Sequence, residues 1–264
     1  MKYLLLLSLI LTPLATFAQI NSPLSAFSER VIITLSPEYP SPNETVTAKV
    51  ASSFYDDLKR AQIVWQIDGS EKKRAIGETT FQFQAPANGK EMELFVTINN
   101  GDIESYAGFK KIRTANLDLI YEANTYTPPF YKGRSLYVPQ SQITIAALAT
   151  IIEGGVQLPK DKIIYSWYKD NNLITELSGV GRDNIKIEGD VLSRPFYISV
   201  IAESLNSNAI AKKRILINPT QPKVVLYENN PIFGSIFEKA LTGEFNFDRE
   251  SVGITAIPYF FSAE

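Results

Sequence analysis

The chain contains neither cysteine nor histidine. Without cysteine there are no disulfides, no thiolate nucleophile, no thiolate metal ligand and no thiol for attaching lipid behind a leader. Without histidine, the side chain that titrates nearest neutral pH is missing. Ser-His and Cys-His catalysis are excluded, as is every metal site that draws on imidazole or thiolate. Carboxylate pairs, Ser-Lys chemistry and oxygen-ligand cations remain. An excess of positive charge is lacking too, with 26 basic residues against 28 acidic ones and a net charge of −2. No nucleic acid or anionic lipid is therefore expected as a partner. Beyond the first 18 residues no stretch is apolar or long enough to span a bilayer.

Those first residues carry a different signal. Lys2 is positive, Tyr3 to Leu11 is nearly all apolar, Thr12-Pro13 breaks the run, and Thr16-Phe17-Ala18 offers a small-residue cleavage site. The three-part pattern predicts a secretory leader over 1–18. The rival reading, a retained anchor, meets a length problem, because Tyr3 to Ala18 falls short of the roughly 20 residues of a spanning helix. The protein is expected to be exported and to reside outside the cell, on its surface or in a periplasm. Residues 19–29 are polar and read as an N-terminal arm.

From Val31 onward the pattern is that of strands. Val31-Ile32-Ile33-Thr34-Leu35 is β-branched, and Pro37, Pro40 and Pro42 punctuate a turn before Thr45-Val46-Thr47-Ala48. Ile63, Trp65 and Ile67 alternate with Val64 and Gln66, the period-2 signature of a half-buried strand, and Asp68-Gly69 predicts a tight hairpin. Ile163, Tyr165 and Trp167 repeat this pattern 102 residues later, followed by Asp170-Asn171-Asn172. Gly77 with Phe81 and Phe83 matches Gly181 with Ile185 and Ile187. Val96-Thr97-Ile98 is matched to Ile198-Ser199-Val200, and Lys110-Lys111 to Lys212-Lys213. Leu119-Ile120-Tyr121-Glu122-Ala123-Asn124 reappears as Val225-Leu226-Tyr227-Glu228-Asn229-Asn230. A near-constant offset over separate segments indicates a structural repeat. Short strands, frequent turn signals and one tryptophan per repeat predict an all-β fold of tandem immunoglobulin-like sandwiches. Residues 143–152 could be mistaken for a helix, but their β-branched content and Gly154-Gly155 favour a strand and a loop.

The expected organisation is a first Ig-like module over 30–114, a second over 115–218, a linker containing Pro219 and Pro222, and a partial third module over 223–264. The strands expected in that last piece are Val224 to Tyr227, Phe245-Asn246-Phe247 and Val252 to Phe261. With no tryptophan strand, it is expected to be incomplete, and to pack on the second module, stay partly disordered or belong to a longer chain. The run Tyr121 to Arg134, the ending Ala256 to Ala263 and Pro40 to Val46 resemble exported tandem Ig-like (PKD/Ig-type) proteins of candidate-phylum bacteria. The resemblance spans most of the chain past its leader. It implies an exported context and continuation past Glu264, but brings no activity and no site residue.

Candidate sites are few. Trp65 and Trp167 could be stacking platforms, but equivalent positions on alternating strands make them core residues. Tyr126, Phe130 and Tyr131, around Pro128-Pro129, form the best candidate interaction surface, since rings beside proline suit sugar faces and peptides. The competing reading packs this loop at a module junction, a reading supported by an echo in Pro231-Ile232-Phe233 and Phe237. Glu122, Asn124, Glu228 and Asn230 could hold Ca²⁺, yet each motif brings one carboxylate where roughly six to eight oxygens are needed. Asp56-Asp57 sits in an expected turn, no Ser-x-x-Lys helix start accompanies Ser52 and Ser53, and Asn43-Glu44-Thr45 is a short glycosylation match. No catalytic residue, metal or cofactor is expected. The expected function is that of a non-enzymatic, monomeric envelope or surface scaffold with an unidentified protein or cell-wall glycan partner. The alternative is a carbohydrate- or peptide-binding accessory module of an extracellular enzyme system.

Overall fold

The computed structural model describes residues 31–53, 58–99, 101, 105–191, 194–243 and 251–263. The expected leader and arm, Asp56-Asp57 and Phe245-Asn246-Phe247 lie outside the described residues. Within them, all helical structure is confined to three single 3₁₀ turns, and no helix is long and apolar enough to cross a membrane.

The first unit comprises β1 (Val31–Ser36), β2 (Thr45–Ser52), β3 (Gln62–Ile67), β4 (Ser70–Ile76), β5 (Thr80–Gln84), β6 (Glu91–Asn99) and β7 (Ser105–Arg113). Two antiparallel sheets, β1-β2-β5 and β4-β3-β6-β7, face each other as a sandwich. Alternation explains the layers: β2 turns Val46, Ala48 and Val50 inward, and β6 does the same with Leu94, Val96 and Ile98. Trp65 fills the centre at 0 % exposure, with its ring 5.6 Å from Phe81 in the opposing sheet. Val64 departs from the expected alternation, because it too is buried, on the other face of β3 and outside this core.

The second unit runs through β8 (Asn116–Ala123), β9 (Gln142–Thr150), β10 (Ile152–Glu153), β11 (Val156–Gln157), β12 (Ile163–Lys169), β13 (Asn172–Leu173), β14 (Gly179–Val180), β15 (Asn184–Glu188), β16 (Phe196–Ser204) and β17 (Ile210–Ile217). Its sheets are β15-β9-β8 and β13-β12-β16-β17, with β14 on the edge of β12. Trp167 is again fully buried, among Ile143, Ile145, Ile198 and Val200. Its indole N–H donates to the Arg182 carbonyl at 2.8 Å. The apolar stretch at 143–152 is strand, as its β-branched content predicts.

The two sandwiches share their turn chemistry in detail. Asp68-Gly69 and Asp170-Asn171 both have positive φ at each central residue, the geometry that matches strand twist. Each aspartate then accepts a backbone N–H from the next long strand, Glu93 for Asp68 and Tyr197 for Asp170, both at 2.8 Å. Gly77 and Gly181 are likewise equivalent: both have positive φ and both donate to the start of the tryptophan strand region, at Ala61 and Ile163.

Strand pairing corrects part of the sequence alignment. Trp65 stands opposite Val96, and Trp167 opposite Val200. Val96 therefore matches Val200, at an offset of 104, and not Ile198. One strand further, Leu94 faces Lys110 and Ile198 faces Ile215. Lys110 thus corresponds to Ile215 instead of Lys212. The second unit gains residues after its tryptophan strand, so a constant offset slides similar residues out of register.

The last sheet is β19-β18-β20, from β18 (Lys223–Asn230), β19 (Gly234–Leu241) and β20 (Gly253–Tyr259). β19 is not legible as a strand in the sequence, since its Glu238-Lys239 pair and a register shift in its pairing with β18 obscure its alternation. The likeness between 119–124 and 225–230 also stops at one strand: β8 is a sheet edge, whereas β18 is central. A long loop follows Asn124. After Asn230 the chain instead turns at once, with Asn230 Oδ1 accepting from the N–H groups of Ile232 and Phe233 at 2.9 and 3.2 Å.

Candidate functional site

The loop between β8 and β9 carries Tyr126, Phe130 and Tyr131. Its backbone is fixed at both ends. Thr125 Oγ1 donates to the Leu136 carbonyl at 2.9 Å, and Ser141 Oγ donates to the Val138 carbonyl at 2.9 Å. Beyond β20 the chain adds to it: Tyr126 N–H donates to Phe261 O at 2.8 Å, Phe260 N–H to Tyr126 O at 2.7 Å, and Ala263 N–H to Asn124 O at 3.2 Å. Phe130 lies against Phe237 with ring centroids 4.2 Å apart, and Tyr131 meets Tyr259 and Phe260 edge-on at 6.0 and 5.5 Å. Such pairs each contribute about 0.5–1.5 kcal/mol beyond area burial. Tyr227 and Tyr259 close the cluster through their hydroxyls, 2.8 Å apart. Burial, then the bond to Tyr227, pushes Tyr259 up to about 12.

These three residues are therefore not equivalent. Phe130 and Tyr131 hold the terminal sheet against the second sandwich, while Tyr126 uses its backbone for that purpose and leaves its ring 44 % exposed. Phe237 is part of the cluster, but Pro231-Ile232-Phe233 is not an echo of the loop. It forms the tip of the β18–β19 hairpin.

A second feature, absent from the sequence reading, is a cleft of about 330 Å³ where the two sandwiches meet. Only Thr114 and Ala115 separate β7 from β8, and both are buried. Arg113 spans the cleft: its Nε donates to Glu91 at 2.6 Å and its Nη1 to the Ser207 carbonyl at 2.7 Å. Asn88 Nδ2 donates to the Thr150 carbonyl at 2.9 Å, and Lys212 lies over the ring of Tyr39 at 5.8 Å. Gly89 packs so closely that a Cβ there would stand 2.8 Å from Ile152 Cγ2. Hydrogen bonds from Lys111 and Arg113 hold the Glu91 carboxyl below its ordinary range. Hydrogen bonds from Ser204 and Ser207, with the nearby charge of Arg113, do the same for Glu153.

Depressed carboxylates stabilise the folded junction above the unfolded carboxylate range, and that contribution is lost as pH falls through the lower folded values. The junction is thus expected to be indifferent to pH from about 5 to 8 and to weaken below about 4. Thermal unfolding across that range checks the sign. Glu91→Gln and Glu153→Gln together should flatten the acid limb.

The other candidates disperse. Trp65 and Trp167 are core. Asn230 caps its own turn, Asn124 accepts a backbone bond, and among the described residues no group of three or more acidic side chains could hold a metal ion. Glu44, in the glycosylation match, accepts the Ser41 N–H at 2.7 Å. Ser52 ends β2.

No protein-family model matches the chain, and no curated protein matches it. Solved structures of tandem β-modules do. The fibronectin(III)-like modules of Clostridium thermocellum CbhA align over 72 % of this chain and 95 % of theirs, at 12 % identity and a TM-score of 0.34. The central fibronectin-III array of RIM-binding protein aligns over 76 % and 74 %, at 12 % identity and 0.25. Three N-terminal domains of the bacteriophage RB49 highly immunogenic outer capsid protein align over 81 % of each chain, at 13 % identity and 0.29. At these values none carries a functional argument. The pairing of its own strands defines the chain as an all-β protein of tandem sandwiches.

Proposed function

We propose that the protein is a non-enzymatic, exported envelope or surface scaffold, working as a monomer whose sandwiches space and orient an interaction surface. The observation that carries this reading is the treatment of the joints. A two-residue buried linker, the Arg113 bridge and the Asn88 and Tyr39 contacts fix the first. A backbone ladder at Asn124–Tyr126 and an aromatic cluster fix the second. Units meant to move independently are usually separated by exposed, polar linkers. The two joints support the proposed division into 30–114, 115–218 and 223–264.

Export rests on the leader pattern. Protein recovered outside the cytoplasm is expected to begin at Gln19 by N-terminal sequencing. Recovery from membranes with Met1 retained would contradict the cleaved leader.

The second reading, a carbohydrate- or peptide-binding accessory module, is favoured by the exposed ring of Tyr126 beside the partly exposed Phe130. Tyr126→Ala should abolish saturable binding in a glycan or peptidoglycan screen without changing the melting temperature. The hydrogen bonds that Tyr126 makes to the terminal segment come from its backbone and survive the substitution. No binding by the wild-type chain would remove this reading and leave the scaffold untouched.

A further inference from the structure

The outer face of the second sandwich's larger sheet departs from the polar-outside pattern. In β13-β12-β16-β17, Trp167, Ile198 and Val200 point into the core, so their neighbours Tyr168 and Tyr197 point out. Tyr168 stands opposite Leu173, and Tyr197 opposite Leu216. Leu173, Tyr197 and Leu216 are 50 %, 40 % and 40 % exposed, so three large side chains of one face lie open. The fold does not demand them. Tyr168 follows its tryptophan as Gln66 does, and Tyr197 donates to its turn aspartate as Glu93 does. The first sandwich thus builds the same sheet with Gln66 and Glu93 at these places.

Two cations complete this face. Lys212 and Arg214 lie two residues apart on β17, on the same side and about 7 Å from each other along the strand. The Arg214 guanidinium sits over the Tyr197 ring, 3.6 Å from its centroid. A guanidinium held by its face on a ring keeps its N–H edge for a carboxylate. Among the described residues neither Lys212 nor Arg214 makes an ion pair. Glu203 is the one carboxylate that β12, β16 and β17 turn to this face, which leaves an excess of one positive charge. Tyr39 of the first sandwich reaches over the same face, its ring 5.8 Å from Lys212 Nζ and its hydroxyl close enough to feel Tyr168 and Glu203. Exposed tyrosine and arginine among aliphatic side chains is the composition of protein-binding surfaces.

We propose that this outer face docks an acidic protein segment, whose apolar residues lie on Leu173, Tyr168 and Leu216 and whose carboxylate pairs with Arg214. Other occupants fit less well. A second copy would set Lys212 and Arg214 against their own likenesses, because a two-fold interface repeats one patch. A planar bilayer would meet the Tyr39 loop before it met the sheet. A sugar ring stacks on open aromatic faces, whereas Arg214 already covers one side of Tyr197 and leucines fill the flanks. The inference rests on the scaffold reading and names the face that the joints hold in place. If it fails, the scaffold reading still stands or falls separately, on the distance between the two sandwiches.

The test uses the chain from Gln19 onward, so that the apolar leader contributes nothing. A displayed library of random short peptides, selected on this chain, should yield sequences rich in Asp and Glu beside Leu, Ile or Phe. The best of them, made synthetically, should bind more weakly as salt rises. Arg214→Gln and Tyr197→Thr should each weaken that peptide about tenfold or more. The melting temperature should hold, because neither side chain is in a core and threonine suits a strand surface. Lys72→Gln, which removes an exposed charge on β4, should change nothing. The proposal is overturned if no peptide is selected, if the selected peptides are not acidic, or if Arg214→Gln leaves their affinity unchanged. It is also overturned if Arg214 serves instead to bind polygalacturonate or phosphatidylglycerol vesicles, or if the wild-type chain self-associates through this face.

Discussion

Replacing Trp167 with alanine is expected to destabilise the second sandwich by about 3–5 kcal/mol, and Trp65→Ala to do the same to the first. Both rings are fully buried at the centre of their cores, so truncation leaves a cavity that the paired sheets cannot collapse to fill. The two tryptophans separate under a gentler change. Trp167 donates to Arg182 O, whereas Trp65 Nε1 is buried with no partner among the described residues. Trp167→Phe orphans a carbonyl, while Trp65→Phe removes an unsatisfied donor. The phenylalanine variants are therefore expected to differ by about 1 kcal/mol, with Trp65→Phe the milder. Denaturant unfolding of each variant reads both effects. Wild-type stability in either alanine variant would remove that ring from its core.

The second large effect concerns the terminal sheet. A separate 223–264 fragment is expected to be unfolded or to aggregate, because three strands seldom stand alone and their edges invite pairing. Inside the whole chain the sheet borrows its second layer. Tyr131, Leu136 and Val138 of the β8–β9 loop join Val225, Tyr227, Ile257, Tyr259 and Phe260 in one cluster. Deleting 223–264 should accordingly leave the main transition of the second sandwich in place, since its core is separate. The loop from 127 to 136 should lose its cover and become the first site of limited proteolysis. A cooperative, monomeric fold of the fragment would contradict the borrowed layer, and so would a loop equally protected after the deletion.

What the sequence reveals and hides follows from how local each signal is. The tryptophan hairpins are legible because strand alternation and a two-residue turn lie within some ten residues. The pairing of repeats is legible strand by strand but not as a fixed offset, since an insertion after Trp167 shifts Lys212 away from Lys110. β19 is hidden by its register shift. The loop at 124–138 shows its aromatics, but its partner Phe237 is more than a hundred residues away, so packing and exposure read alike. The interdomain cleft is hidden for the same reason. Arg113, Glu91, Glu153 and Ser207 come from separate stretches, and none is distinctive alone.

Joints that fix successive β-units against each other can be read directly as a distance. The absence of cysteine makes a direct measurement simple, because two introduced cysteines are the only labelling sites. With spin labels at Lys72→Cys on β4 and Lys186→Cys on β15, both exposed, a dipolar distance measurement at pH 7 should give one narrow distribution. Arg113→Ala combined with Asn88→Ala should broaden it while each sandwich keeps its own stability. A broad distribution in the unsubstituted chain, indifferent to those two changes, would show sandwiches swinging freely on a tether and not held at their joint.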